Sequence, residues 1–228
     1  MTQNLNRKAN SKEIAIAQPS KAKGVANVIP LKLKLPTRRS YRVTECTKPV
    51  AFITETEVYR LADAAKAMRD GERNELLILT MFQGALRVTE AIKLRVMDKG
   101  KVDNKHILVV QGKGNKPRLV AIPEKLSYHL GDYAQRQGLK PEDRFFPISR
   151  VRAWQIIKEC ADKAGIDRRV YCHLLRRGGV IARLKRTGNP KSLQIHLGHA
   201  DMKMTMRYLA TMQVVESLET ESEVEFDR

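Results

Sequence analysis

Arg87, Lys113, His173, Arg176, His199 and Tyr208 are the side-chain types that transfer of a phosphodiester demands. Guanidiniums fork onto non-bridging phosphate oxygens, a cation hands a proton to the departing oxygen, and a phenol attacks. His173 and Arg176 stand three apart on an expected helix and so share a face, and Glu90 follows Arg87 at the same spacing. Taken singly, each charge reads more simply as a solvated helix residue, and Tyr208 as a core aromatic. Other chemistries fit less well. Gly112-x-Gly114 invites a phosphate-loop reading, but Pro117 stands where a dinucleotide fingerprint needs glycine, and no Gly-Lys-Ser/Thr follows. His196 and His199 flank Leu197-Gly198 with no Cys, Asp or Glu in that segment, so no metal site is expected.

These residues need elements to hold them. Thr54-Glu55-Thr56-Glu57 is a capping box, followed by Val58, Leu61, Ala62, Ala65 and Met68 on one helical face, with Gly71 as the stop. A second helix, residues 73–83, is apolar on most sides and belongs in the middle of a core. A third starts near Arg87 and carries Val88, Ala91, Ile92 and Leu94. Residues 106–111 and 118–122 are β-branched runs joined by a glycine- and lysine-containing turn, which predicts a two-stranded ribbon with Lys113 and Lys116 at its tip. Pro123 suits the first position of a helix, and Ser149 caps another that Gly165 stops. Residues 173–186 are amphipathic, Asn189-Pro190 opens a short helix ending at Gly198, and Asp201 caps the one containing Tyr208. The expected fold is mainly α with a small antiparallel β-ribbon (α+β). Residues 51–212 form one domain between a flexible basic arm, 1–50, and an acidic C-terminal tail, 213–228.

Charge narrows the partner. The net charge is +18, distributed as +9 over residues 1–50, +14 over 51–211 and −5 over 212–228. That surplus favours a polyanion, nucleic acid before an anionic membrane surface. At 228 residues, with 42% hydrophobic and 30% charged, the chain has the composition of a soluble globular protein. Its longest apolar stretch, residues 76–82, is interrupted by Thr80 and far too short to span a bilayer. Cys46, Cys160 and Cys172 form no Cys-x-x-Cys pair, and no signal peptide is visible, so a reducing, cytoplasmic and nucleoid-associated location is expected.

In order along the chain, five motifs resemble those of the tyrosine recombinase (phage integrase) family. They are Leu86-Arg87-Val88-Thr89-Glu90, Gly112-Lys113-Gly114-Asn115-Lys116-Pro117-Arg118-Leu119-Val120, His173-Leu174-Leu175-Arg176, Leu197-Gly198-His199 and Met206-Arg207-Tyr208. The resemblance implies a catalytic domain in which Arg87 and Arg176 bind the scissile phosphate and Lys113 protonates the departing 5′ oxygen. His173 would act as general acid and base, His199 would hydrogen-bond the phosphate, and Tyr208 would form a 3′-phosphotyrosine link. Glu90 would orient its neighbours, and Lys116, Arg118 and Arg177 would contact DNA. The implied partner is double-stranded DNA, bound by a homo-tetramer on paired sites with room for an accessory DNA-bending factor. No cofactor and no membrane is implied.

Three departures from the family pattern stand out. Ala85 replaces the glycine usually found directly before Leu-Arg. Arg177-Gly178-Gly179 follows Arg176 where a histidine and a small hydroxyl residue are usual, placing two helix-weakening residues beside a phosphate ligand. Residues 1–50 are too short and too poor in apolar residues to build the N-terminal helical DNA-binding domain. Beside the recombinase reading stand a non-catalytic sequence-specific or architectural DNA-binding protein on the same fold, a basic RNA- or ribosome-associated protein, and a type IB topoisomerase with the same chemistry.

Overall fold

Thr54 opens the first helix as its pattern predicts. Its hydroxyl accepts the Glu57 amide at 3.3 Å while the Glu57 carboxylate accepts the Thr54 amide at 2.8 Å, so two orphan donors are satisfied together. In the computed structural model, which describes residues 51–112 and 116–222, this helix is α1, Glu55–Lys66. The basic arm, the turn residues Lys113, Gly114 and Asn115, and residues 223–228 lie outside the described residues.

Gly71 does not stop α1; it begins α2, Gly71–Gln83. Asp70 ahead of it takes the left-handed conformation (φ 57°), and a Cβ on Gly71 would sit 2.2 Å from the Lys66 carbonyl oxygen, so the turn closes too tightly for a side chain. Residues 76–82 of α2 are all buried, which places this helix at the centre. The third helix is shorter than expected: α3 spans only Val88–Ala91, and a 3₁₀ turn follows at Val96–Asp98.

The expected ribbon is a three-stranded antiparallel sheet in the order β1 (Lys99–Val102), β2 (Lys105–Gln111), β3 (Pro117–Ala121). β1 escapes pattern reading because Lys-Gly-Lys-Val has neither alternation nor a buried face. Its signal was the turn. Val102 pairs with Lys105 across Asp103 and Asn104, both at positive φ (47° and 60°), the geometry of a two-residue hairpin. Pro123 is the cap of α4, Glu124–Arg136, not its first residue.

The remaining helices are α5, Arg150–Lys163, α6, Cys172–Thr187, α7, Pro190–Leu197, and α8, Met202–Ser222. Their caps follow the sequence: Ser149 Oγ accepts from the Arg152 amide, Asn189 Oδ1 from Ser192, and Asp201 Oδ1 from Lys203. α8 continues through residues 213–222, where Glu219 stands 4.0 Å from Lys185 of α6. The main core joins α1, α2, α4, α5, α6 and the sheet, while a smaller cluster gathers Ala85, Val180, Ile181, Leu184, Leu193, Leu197 and Tyr208. Among the described residues no helix is long and apolar enough to cross a membrane.

Gly178 and Gly179 do not break α6; they let it lie on α2. A Cβ at Gly178 would meet the Ile53 carbonyl oxygen at 2.3 Å, and one at Gly179 the Phe82 oxygen closer still, at 1.9 Å. Arg183 pins the same crossing: its guanidinium donates to the Gln83 carbonyl and, at 2.7 Å, to that of Ala121. Helix propensity is given up here for a backbone approach that fixes where Arg176 stands.

Candidate active site

The start of α3, β3 and α6 meet at one carboxylate. Glu90, 5% exposed, accepts from Arg87 Nη1 at 2.7 Å, from both Nη atoms of Arg118 at 3.1 and 3.0 Å, and from Arg176 Nη1 at 3.3 Å. It also accepts the Arg87 amide at 2.8 Å, which fixes Arg87 at the start of α3. Burial pushes the Glu90 carboxyl upward, but the Arg118 hydrogen bonds, the Arg87 amide and the charges of Arg118 and Arg176 outweigh it and hold it below the ordinary carboxylate range. Three guanidiniums on one carboxylate leave two surplus positive charges, a setting that favours a phosphate.

Arg176 is 2% exposed. Its Nη1 donates to the Ala85 carbonyl at 2.7 Å and its Nη2 to that of Leu197 at 3.4 Å, so its orientation is set from the α2–α3 turn and from the end of α7. Burial, together with the charges of Arg87 and Arg118, lowers its pKa to about 10, so it remains a cation at neutral pH. Arg87 is the more open of the two, its side chain 38% exposed. Ala85, where the family pattern has glycine, adopts φ 51°, the left-handed conformation that glycine takes without steric cost.

His199 Nδ1 lies 3.1 Å from Thr205 Oγ1, tying the end of α7 to the first turns of α8. Burial first, then the charges of Arg176, Arg87 and Arg118, lowers its pKa to about 4, so the ring is neutral at pH 7. His173 is exposed on the rim of a cavity of about 470 Å³ whose lining includes Arg87, Arg150, Trp154 and Tyr171. Desolvation and the charges of Arg177, Arg176 and Arg87 lower its pKa as well. Tyr208 is 9% exposed, packs in the cluster with Ala85 and Leu197, and lies close enough to Arg176 to interact with its charge.

The other expected residues are less uniform. Lys113 lies outside the described residues. Lys116 is exposed, its carbonyl accepting the Gly112 amide at 2.9 Å. Arg177 is partly buried and donates to the Ala51 carbonyl and the Tyr171 hydroxyl. Arg118, expected at the DNA surface, is instead turned inward with its side chain 12% exposed.

Sequence reasoning passed over His196 as half of a bare histidine pair. Its Nε2 sits 3.0 Å from the Gly84 carbonyl, an acceptor only, so Nε2 carries the proton and the ring stitches α7 to the end of α2. Burial, with Arg183 next, lowers its pKa to about 4. A histidine whose folded pKa lies below its unfolded value contributes stability that is full above about pH 6.5 and is lost as pH falls toward 4. Unfolding of the protein should therefore become easier by on the order of 3 kcal/mol from this ring over that window. His196→Gln keeps an N–H donor without titrating, and denaturant unfolding at pH 7 and pH 4.5 should show a smaller acid penalty in it; an equal penalty would clear His196 of the effect. Among the described residues no three His, Cys, Asp or Glu side chains form a metal-binding group.

Residues 51–213 match the phage integrase family. The chain belongs to the phage integrase family. The tyrosine recombinase XerD of Neisseria meningitidis is 32% identical over 170 residues, 69% of this chain and 57% of that protein. The probable integrase/recombinase YoeC of Bacillus subtilis is 29% identical over 150 residues, 62% of this chain and 80% of its own length. The crystal structure of a XerA recombinase superposes with a TM-score of 0.61 at 25% identity, covering 78% of this chain and 67% of that one. The catalytic domain of bacteriophage HP1 integrase, 24% identical with a TM-score of 0.56, shares the fold over 75% of this chain and 94% of that domain. The chain spans little more than half the length of the first curated relatives it matches.

Proposed function

We propose that this member of the phage integrase family is a site-specific DNA recombinase that cuts and rejoins strands through a 3′-phosphotyrosine at Tyr208. The observation that carries the reading is the convergence of Arg87 and Arg176 on Glu90, with His173, His199 and Tyr208 around them. Arg87 and Arg176 take the non-bridging oxygens of the scissile phosphate. Tyr208 Oη attacks phosphorus, its proton passes to His173, the bond to the 5′ oxygen breaks, and Lys113 protonates that oxygen. His199 donates from Nε2 to a non-bridging oxygen while the Thr205 hydroxyl donates to Nδ1, an arrangement its neutral ring permits. Rejoining reverses each step, with the phosphodiester energy held in the tyrosine ester, so neither metal nor nucleotide cofactor enters.

The substrate is double-stranded DNA, with Lys116 and Arg177 as further DNA contacts, and the working form is a homo-tetramer on paired sites, helped where needed by a DNA-bending factor. The protein acts on the nucleoid. Incubation with sheared genomic DNA, denaturation, and sequencing of the protein-bound fragments should recover one family of related junctions. Failure to recover any bound DNA would remove the recombinase reading. Recovery of unrelated junctions, with plasmid relaxed regardless of sequence, would replace it with a topoisomerase.

A further inference from the structure

We propose that Arg118 is a positioning residue that holds the phosphate-binding groups in place, and not a contact to DNA. Every nitrogen of its guanidinium is used inside the protein. Nε donates to the His196 carbonyl at 3.0 Å, Nη1 to Glu90 Oε1 at 3.1 Å and Nη2 to Glu90 Oε2 at 3.0 Å. Gly198 clears its path, and Gly112 borders it. Gly198 holds φ 64°, and a Cβ there would lie 2.9 Å from Arg118 Cδ; one on Gly112 would lie 3.4 Å from Nη1.

What this knot orients follows from its partners. Glu90 Oε1 is shared between Arg118 Nη1 and Arg87 Nη1, and Oε2 between Arg118 Nη2, the Arg87 amide and Arg176 Nη1. The fork of Arg118 therefore sets the plane of the carboxylate that in turn aims both other arginines. Through the His196 carbonyl the same side chain fixes the end of α7, three residues before His199 and next to Leu197, whose carbonyl also holds Arg176. A lysine would keep the charge but has one nitrogen, and cannot engage both carboxylate oxygens and a carbonyl across the slot.

The consequence for cleavage rests on the recombinase reading; the positioning itself does not. Arg118→Lys and Arg118→Met are compared with the unaltered chain at a temperature where each is folded by far-UV circular dichroism. Binding to a 30-base-pair duplex of arbitrary sequence, followed across salt, should keep its slope in both variants. A slope shallower by ~0.9, the loss of one phosphate contact, would overturn the proposal in favour of a DNA contact. At saturating sheared genomic DNA, adduct formation should fall by ~10²-fold in both, the cost of misaligned catalytic groups, with the half-saturating DNA concentration unchanged. A rate restored by lysine would overturn it, because charge alone would then suffice.

An NMR measurement without DNA separates the two readings. The Nε–H signals of Arg87 and Arg176 should shift or broaden in both variants while amide signals of α1 and α4 stay in place. Unmoved arginine signals would overturn the positioning role. If the unaltered chain forms no adduct at all, the recombinase reading falls, and the arginine signals alone decide for or against Arg118.

Discussion

Tyr208→Phe should fold, bind DNA with normal affinity, and form no denaturant-resistant adduct. The ring belongs to the smaller cluster with Ala85, Leu184 and Leu197, and its apolar packing there uses carbon atoms the substitution keeps. The stability change should therefore stay within about 1 kcal/mol. The phenol oxygen is the atom that bonds to phosphorus, and a benzene ring offers no substitute for it. Loss of the nucleophile in covalent enzymes costs on the order of 10⁴- to 10⁶-fold, so adduct should drop below detection in a denaturing gel assay with end-labelled DNA. Adduct of normal yield in the variant, with the DNA mapped to another side chain, would dismiss Tyr208.

Glu90→Ala should give the largest loss of stability of any single change at the site. Arg176, 2% exposed, would keep its carbonyl partners Ala85 and Leu197 but lose its counter-charge, and the fork of Arg118 would face a void. Removing one partner of a buried ion pair costs about 3–5 kcal/mol, far more than an exposed pair contributes. Acid should mimic the change in part. The Glu90 carboxyl is held below its ordinary range, so its contribution is full above the unfolded carboxylate pKa and is lost as pH falls through the folded value. Denaturant unfolding at pH 7 and pH 3 checks both statements, since the variant should be weaker at pH 7 and lose less on acidification. A shift at pH 7 within about 0.5 kcal/mol would mean that the three arginines are held by something other than Glu90.

Features written locally in the sequence were legible there. Thr54, Ser149, Asn189 and Asp201 each cap the helix they announce, because a cap is a contact two or three residues long. The run through residues 76–82 announced a buried helix for the same reason: burial on all sides leaves no polar face to hide. Features decided by distant neighbours were not. Gly178 and Gly179 read as helix-weakening residues, and only the Ile53 carbonyl and the Phe82 backbone lying against α6 explain them. Arg118 read as a DNA contact beside a basic turn, since nothing nearby foretells that Glu90 and the end of α7 enclose it. Ala85 read as a mild departure, yet its φ of 51° and its carbonyl bond to Arg176 make it part of the site's frame.

The most direct test of the covalent account is the chemistry of the trapped ends. Adduct should form in excess EDTA, and after nuclease and protease digestion the mass of a 3′-phosphonucleotide should lie on the peptide containing Tyr208. The released strand should accept label from polynucleotide kinase without prior phosphatase, because its end is a free 5′ hydroxyl. A nucleotide mass on any other residue, a 5′ phosphate on the released strand, or an adduct abolished by EDTA would contradict it.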